Sequence, residues 1–290
     1  MFIVPGPTSE RLALKVAEQG GFKVIKVHRK VFGDGESYIR YLSILKGKDV
    51  AIIQSCEYPQ DKSLIEILFM ASTAKQLGAD KVTLIMPYFA YSREDKRFLP
   101  REAIGAEVII ELIESVGVDE FITFDMHNEK TLKHFKIPHH DLTAMPLIAE
   151  HFRGRLKDPF VLTPDDGRPK RAKIVAKPLG AEYDYYEKKR DRYNGQIITK
   201  DKILPVSGRD VLIVDDIIST GGTMVKCIES VKKQGARDIY VACTHPLLAG
   251  KAVENLFSAG AKEIVGTDTF SSNYSVITVA PLIVEELQKQ

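Results

Sequence analysis

The feature that most constrains this chain is one run in its second half, VLIVDDIISTGGT, which extends from Val211 to Thr223. Its four leading apolar residues predict a strand that is buried on both faces of a parallel sheet. Two acids are expected to end that strand, a turn rich in Ser, Thr and Gly follows, and Met224–Gln234 predicts a helix. A strand that leads through such a loop into a helix is typical of phosphate sites, because backbone N–H groups and the helix dipole both favour an anion.

The two neighbouring acids narrow the ligand further. Asp215 and Asp216 are expected at the carboxyl end of the strand, where open α/β sheets bind ligands. Because like charges repel, paired acids beside a phosphate cradle indicate a ligand that also offers a vicinal diol or brings a divalent metal. A phosphorylated sugar meets both needs. The alternative is a buried strand followed by an ordinary polar turn.

Composition limits the class of protein and its partners. The chain has 290 residues, of which 44% are apolar and 28% charged, with a formal net charge of +2. This length suits one large domain or two of about 140 residues, and the charge does not argue for a nucleic acid or a membrane as partner. Three scattered cysteines suggest buried thiols in a reducing compartment, and no stretch approaches the roughly 18 apolar residues of a membrane span. We therefore expect a cytoplasmic protein.

Strand and helix patterns alternate along the chain and predict an α/β fold with doubly wound parallel sheets. An internal repeat predicts two such domains: VAIIQS at residues 50–55 aligns with VLIVDD at residues 211–216, and a second match links residues 76–82 with 233–239. We place the domains at residues 1–142 and 143–280, with a terminal helix over 281–290 packing on the first. The first copy lacks both acids and the Gly-Gly turn, so it is expected to have no sugar site.

Three loops of the first half also suggest chemistry. The first, Phe32–Ser37, offers an aromatic face and two acids for a base or a ribose, although an exposed Asp-Gly turn is the simpler interpretation. The second, Tyr91–Phe98, is densely charged and is either a solvated loop or a mobile lid for a polyphosphate. The third, Asp125–Glu129, sets His127 just past a strand end, where a single His is often structural.

The run from Val214 to Thr223 resembles the phosphoribosyl-binding loop of type I phosphoribosyltransferases and of phosphoribosyl diphosphate synthetases. Six loops of this chain are similar, in order and spacing, to those of the ribose-phosphate diphosphokinase family, and the similarity covers essentially the whole chain. It implies two domains of the phosphoribosyltransferase type. It also implies transfer of the β,γ-diphosphoryl group of MgATP to the 1-hydroxyl of ribose 5-phosphate, with release of AMP, by a homo-oligomer that uses Mg²⁺.

The resemblance implies a role for each matched residue. ATP would be bound by Phe32, Asp34, Gly35, Glu36, Arg93, Glu94 and His127, with the first loop completing a neighbouring subunit's site. Metal would be held by His127 and Asp165. The catalytic cations would be Lys188 and Arg190, of which Arg190 also contacts the sugar phosphate. The ribose hydroxyls would be bound by Asp215 and Asp216, and the 5-phosphate by Ser219, Thr220, Gly221, Gly222 and Thr223.

Two rival functions stay open at this point. A type I phosphoribosyltransferase would need a nucleobase-binding hood in place of the loops at Phe32 and Arg93. A non-catalytic regulatory relative would be expected to have lost the ribose-loop acids or the cations of the mobile loops, which this chain retains. The chain also departs from the family pattern at Glu94, where Gln is common, and at Glu107, where a basic residue is common.

Overall fold

The computed structural model describes residues 1–164, 169–186 and 202–289, together with the backbone of two short strands at 188–190 and 197–199. Contacts between Cα atoms divide the chain into two units. Unit 1 contains Met1–Leu142, Thr269–Ser271 and Thr278–Gln290, and unit 2 contains Thr143–Asp268 and Ser272–Ile277.

The secondary structure alternates along both units. The strands are β1 (Phe2–Pro5), β2 (Lys23–Val24), β3 (Val27–Val31), β4 (Ser37–Tyr41), β5 (Asp49–Ile53), β6 (Lys81–Ile85), β7 (Glu120–Phe124), β8 (His139–Leu142), β9 (Pro159–Thr163), β10 (Glu182–Tyr185), β11 (Lys188–Arg190), β12 (Ile197–Thr199), β13 (Asp210–Ile218), β14 (Ile239–Pro246), β15 (Glu263–Thr267) and β16 (Ser275–Ile277). The helices are α1 (Glu10–Gly20), α2 (Gln60–Gln76), α3 (Gly105–Ser115), α4 (Met145–Phe152), α5 (Pro169–Leu179), α6 (Gly222–Lys233), α7 (Ala252–Ala259) and α8 (Ala280–Gln288), with a 3₁₀ helix over Glu129–His134.

Each unit is built on one parallel six-stranded sheet. The strand order is β2-β1-β5-β6-β7-β8 in unit 1 and β10-β9-β13-β14-β15-β16 in unit 2, which is the same order when the strands are counted within each unit. A two-stranded antiparallel hairpin is inserted at the same point of both, as β3–β4 and as β11–β12. The predicted α/β fold with two similar parallel sheets is confirmed, and the shared order supports the internal repeat.

The burial of β5 and β13 fits their position in the interior of the two sheets. Val50–Ile53 of β5 and Val211–Val214 of β13 have no exposed surface. Helices cover both faces of a parallel sheet, so its central strands carry continuous apolar runs rather than alternating ones. In unit 2 the two faces of β13 contribute to separate clusters, one around α6 with Ile213 and one around α4 and α5 with Leu212.

Lys23–Val24 and Val27–Val31 form two separate strands, β2 and β3, because the chain leaves β1 after Ile25 and pairs with β4 from Val27 onward. One strand prediction was wrong in extent. The strand expected to end at the two acids continues to Ile218. Its partner β14 continues to Pro246 and pairs Ile217 with His245 and Ile218 with Pro246. The acids therefore lie within the strand.

The start of β13 is held by an ion pair whose carboxylate is buried. Asp210 lies 2.7 Å from Arg237 between Oδ2 and Nη2, and it accepts a 2.8 Å hydrogen bond from the Lys157 backbone N–H. Burial raises the pKa of the Asp210 carboxyl, but the bonds from Arg237 and Lys157 together lower it below its ordinary value. The carboxyl is therefore ionised and fixes the first residue of the strand.

The last helix of the chain packs within unit 1. Helix α8 contacts α1, and Glu286 of α8 lies 3.1 Å from Nδ1 of His140, whose Nε2 lies 3.3 Å from Glu120. Within the described ranges, no helix is both long and apolar enough to cross a membrane.

Candidate active site

The loop that precedes α6 has the geometry of an anion site. Gly221 caps the helix with a left-handed φ of +75° and is buried, while Thr220 and Gly222 on either side of it are exposed. The backbone before the loop is held from the end of β14, because the N–H groups of Leu248 and Ala249 donate to the carbonyls of Ile218 and Ser219 at 2.9 and 3.0 Å. These hydrogen bonds fix the backbone that leads into α6. The N–H groups at the start of a helix fixed in this way suit a phosphate.

The two acids of the strand differ in exposure. The side chain of Asp215 is 14% exposed and that of Asp216 only 4%. Oδ1 of Asp215 accepts a 3.0 Å hydrogen bond from the Asp216 backbone N–H. A role for both acids at the ribose hydroxyls stays a prediction, and Asp215 is the more accessible of the two.

A buried arginine that the sequence analysis did not single out faces both acids. Arg171 of α5 is 10% exposed at its side chain, and its Nη2 lies 3.2 Å from Oδ2 of Asp216. Its Nη1 lies 3.9 Å from Oδ1 of Asp215. The signal in the sequence was its place on the apolar stripe of the helix, four residues before the buried Val175.

The buried Cys243 thiol lies beside the same acids in the sheet. Its residue pairs with Asp215 in the register of β13 and β14. Burial, and then the charge of Asp215, raise the pKa of the Cys243 thiol well above its ordinary value. It is therefore an uncharged packing group and not a nucleophile.

In unit 1, the loop at Phe32 closes the β3–β4 hairpin and is exposed. The N–H of Phe32 donates to the carbonyl of Glu36 at 2.9 Å, and the Glu36 N–H donates to the Asp34 carboxylate at 3.2 Å. Gly35 has a φ of +97°, a conformation that favours glycine. The ammonium of Lys30 lies 4.3 Å from the centre of the Phe32 ring. The loop therefore presents Phe32, 41% exposed, with a cation on one face.

Helix α2 contacts both loops of unit 1 that are candidates for binding ATP, the Phe32 loop and the charged loop at Tyr91–Phe98. Glu66 in its middle accepts a 2.7 Å hydrogen bond from Ser37 of the hairpin. Asp61 in its first turn accepts a hydrogen bond from the Tyr91 hydroxyl, a contact that raises the pKa of Tyr91 to about 12. One helix thus positions the hairpin and the start of the charged loop.

The charged loop is folded on itself and reaches the turn of His127. The carboxylate of Glu102 accepts from the N–H groups of Phe98 and Leu99, both at 2.8 Å. Asn128, next to His127, donates its side-chain amide to Asp95. The structure thus brings the loop of Arg93 and Glu94 together with the turn of His127.

The His127 turn itself has an unusual backbone. Asp125 is 8% exposed with a φ of +40°, and Met126 donates its N–H to the Asp141 carboxylate at 3.1 Å. Among the described residues, no group of three or more His, Cys, Asp or Glu side chains forms a metal site.

Two departures from the family pattern have local partners. Glu107 lies 3.5 Å from His134 between Oε1 and Nε2. The backbone carbonyl of Glu94 accepts a 3.3 Å hydrogen bond from the N–H of Ala106 at the start of α3. Both residues therefore take part in holding α3.

Three predicted site residues cannot be placed. Asp165 lies outside the described residues. Lys188 and Arg190 lie in β11, of which the structure describes the backbone only.

The two parallel sheets and the loop that precedes α6 define an α/β protein of the phosphoribosyltransferase type. Residues 138–276 match the model of the phosphoribosyl transferase domain, and residues 1–117 match the model of the N-terminal domain of ribose phosphate pyrophosphokinase. The chain belongs to the ribose-phosphate pyrophosphokinase family. The predicted family is confirmed, and the match of the N-terminal model disfavours a plain phosphoribosyltransferase.

The similarity extends over full-length relatives. The chain is 41% identical over 287 residues to a ribose-phosphate pyrophosphokinase of Methanothermobacter thermautotrophicus, covering 99% of both chains. It is 38% identical to that of Saccharolobus solfataricus, covering 96% of this chain and 97% of the relative. A crystal structure of phosphoribosylpyrophosphate synthetase from Mycobacterium smegmatis matches with a TM-score of 0.87 and 28% identity, covering 99% of this chain and 97% of that chain.

The left-handed glycine at the start of α6 gives a direct test of the loop geometry. We expect Gly221→Ala to lower the free energy of unfolding by about 1–2 kcal/mol, the cost of placing an L-residue in the left-handed region. The added methyl group would meet Ala252 and Leu256 at an ordinary 3.5 Å, so strain rather than collision sets the cost. Urea unfolding measures it. Gly222→Ala is the matched control, because nothing lies within 4 Å of its Cβ position; an equal cost at both glycines would contradict the assigned geometry.

Proposed function

We propose that this chain transfers the β,γ-diphosphoryl group of ATP to the 1-hydroxyl of ribose 5-phosphate and forms 5-phosphoribosyl 1-diphosphate and AMP. In this proposal residues 1–142 bind ATP and residues 143–280 bind the sugar phosphate. The observation that carries it is the position of Asp215 near the end of β13, the strand that leads into the phosphate-type loop of α6, in a chain that matches the family over its full length.

The sugar phosphate is bound by two different kinds of group. The backbone N–H groups of the Ser219–Thr223 loop and the positive end of α6 bind the 5-phosphate. The carboxylate of Asp215 accepts hydrogen bonds from the ribose hydroxyls, with Asp216 behind it. The exposure of Thr220 and Gly222 supports this assignment, since an anion must reach the amides.

ATP is bound by the exposed loops of unit 1. Phe32 stacks on adenine, and the Asp34 and Glu36 carboxylates accept from the base or its ribose. Arg93 neutralises part of the polyphosphate charge, and Glu94 lies beside it on the same loop. The exposure of all five side chains supports the assignment.

The reaction is a displacement at the β-phosphorus. The 1-hydroxyl oxygen of the ribose attacks this phosphorus, the bond from it to the bridging α,β-oxygen breaks, and AMP leaves with that oxygen while the hydroxyl proton is released. Lys188 and Arg190 on β11 neutralise the charge that develops on the transferred group and on the leaving oxygen. Catalysis therefore depends on positioning and on charge rather than on a covalent intermediate.

The chemistry of the available donors fits a magnesium ion that is carried mainly by the substrate. Mg²⁺ keeps several waters and takes one or two carboxylates together with phosphate oxygens, so it needs no all-protein cluster. In this proposal His127 would hold the ion that is bound to ATP, and Asp165 would support a second ion near the ribose. When bound, the ion withdraws charge from the polyphosphate.

The products of the reaction test the proposal. With ATP, ribose 5-phosphate and Mg²⁺, we expect ³¹P NMR to show AMP and a 1-diphosphorylated ribose 5-phosphate, without ADP or free pyrophosphate, because attack is at the β-phosphorus. Chelation of Mg²⁺ should stop turnover. Formation of ADP or metal-independent turnover would overturn the assignment, and binding of both ligands without reaction would favour a regulatory relative.

The β11 cations give a second test. We expect Lys188→Ala to lower kcat by about 10²-fold or more and to leave ribose 5-phosphate binding nearly unchanged, because the lost charge acts in the transition state. Steady-state kinetics and calorimetric binding separate the two effects. The control is Lys262→Ala, which removes a lysine that pairs with Asp238 on the surface. Turnover near that of the wild type in Lys188→Ala would remove this residue from the mechanism.

We further propose that the chain works as a homo-oligomer in which the Phe32 loop completes the ATP site of a neighbouring subunit. Large apolar side chains are exposed on the hairpin and on the helix that supports it: Val31 is 53% exposed, Ile65 45% and Phe69 46%. These side chains make the same two elements a suitable surface for a second copy.

The oligomer is tested by charging this surface. We expect Phe69→Glu to reduce both the mass measured by light scattering at assay concentration and the activity, because a buried carboxylate would oppose association. Ile203→Glu, at a side chain that is 94% exposed in unit 2, is the control. Full activity from a monomeric wild-type protein would contradict a shared site.

A further inference from the structure

Arg171 of α5 has no role in the reaction proposed above, although it lies beside both acids of the proposed sugar site. Its guanidinium lies 3.2 Å from Asp216 and 3.9 Å from Asp215, at the edge of the sheet where the loop of α6 begins. All three side chains are largely buried, with 10%, 4% and 14% of their surface exposed for Arg171, Asp216 and Asp215. Without the arginine, two neighbouring carboxylates would carry a charge of −2 where an anionic ligand binds. With it, the three groups together carry −1.

We propose that Arg171 is a positioning residue for ribose 5-phosphate, which holds Asp216 inside the unit and leaves Asp215 as the acid that meets the sugar. This inference rests on the proposed function. The distances support the division, because the shorter contact is to the more buried acid. The loss of one negative charge also lowers the repulsion that the acids exert on the 5-phosphate.

The side-chain chemistry favours arginine for this task. A guanidinium stays charged when buried, whereas a buried ammonium readily loses its proton. Its planar fork has five N–H donors, so one side chain reaches two carboxylates at once. A lysine at this position would have a single point charge and could not hold both acids in the same way.

A purely structural ion pair is the competing interpretation, and the molecule contains one for comparison. Arg237 pairs with the buried Asp210 at the opposite end of the same strand, far along β13 from the loop of α6. Replacing one partner of a buried pair leaves the other charge uncompensated. Both pairs should therefore contribute to folding, but only the pair at the loop should affect the ligand.

The experiment measures ribose 5-phosphate binding by calorimetry, KM and kcat by steady-state kinetics, and unfolding by urea. The variants are Arg171→Gln, Arg171→Lys, Asp216→Asn, the double variant Arg171→Gln/Asp216→Asn, and Arg237→Gln as the control. We expect Arg171→Gln to raise the Kd and the KM for ribose 5-phosphate by about 10²-fold, because the uncompensated charge of Asp216 then repels the 5-phosphate in a site of low effective dielectric constant. The KM for ATP should change little.

The double variant is the decisive comparison. Removing the Asp216 charge together with Arg171 restores the local charge of −1, so we expect it to recover most of the affinity that Arg171→Gln loses. Arg171→Lys should bind more weakly than wild type. Arg237→Gln should lose stability and keep the Kd of the wild type.

Three outcomes would overturn the role of Arg171. They are an unchanged Kd in Arg171→Gln, an equal loss in Arg171→Gln and in the double variant, and an equal loss in Arg237→Gln. If Arg171→Gln does not fold, the double variant decides the question, because it restores the charge balance of −1 without the arginine: a Kd near that of the wild type supports the role of Arg171, and a Kd about 10²-fold higher overturns it. A wild-type protein that binds no ribose 5-phosphate overturns the proposed function itself, which is a different result from wild-type binding that Arg171→Gln leaves unchanged.

Discussion

The structure of unit 2 depends on how the charges of three acids are compensated on β13, a strand that is otherwise largely buried. The middle of β13, Val211–Val214, has no exposed surface, yet the strand begins with one acid and carries two more near its end. Buried carboxylates are tolerated when a cation and hydrogen bonds compensate them. Arg237 does this at the start of the strand, and Arg171 does it near the end. The first pair fixes where the strand begins. The second lies where backbone amides and acids meet, so its charge balance also sets what can bind.

Unit 1 has uncharged residues at the equivalent positions of its sheet. Gln54 and Ser55 follow β5 where Asp215 and Asp216 occur in β13, and both are fully buried. The Gln54 amide donates to the Ser63 carbonyl at 3.0 Å, and the Ser55 N–H donates to the Ser9 hydroxyl at 2.8 Å. Neutral residues whose polar groups bond to nearby residues of the same unit, among them the Glu66 carboxylate 3.4 Å from the Gln54 amide, need no ligand and no arginine. The two units therefore share a strand order but not a sugar site. In the proposed function the two units also differ in the hairpin inserted at the same place, which contains the Phe32 loop in unit 1 and Lys188 with Arg190 in unit 2.

Much of the fold could be predicted from the sequence, because apolar runs and the glycine turn are local signals. The class, the repeat and the helix after the Gly-Gly turn follow from them. The extent of β13 could not, since it depends on its partner strand β14 and so on pairing between residues that are distant in the sequence. Arg171 was missed for a related reason. Its meaning comes from two acids more than forty positions away along the chain, whereas in sequence it is one basic residue in a basic run. Asp165, Lys188 and Arg190 rest on the family resemblance alone.

Contacts within the β3–β4 hairpin orient Phe32, the aromatic residue of the proposed ATP-binding loop. The Lys30 ammonium lies 4.3 Å from the centre of the Phe32 ring and 5.1 Å from that of Tyr38, and the two rings meet edge to face with their centroids 5.7 Å apart. A cation over an aromatic ring is worth about 0.5–1 kcal/mol at an exposed site. That is enough to favour one orientation of an exposed side chain, yet small beside the stacking of a base, which is worth about 1–3 kcal/mol. The lysine can therefore orient the ring in the absence of ligand without preventing a base from stacking on it. In the proposed function Lys30 and Arg171 therefore have similar roles, because each lies beside a group that would meet the substrate and orients it.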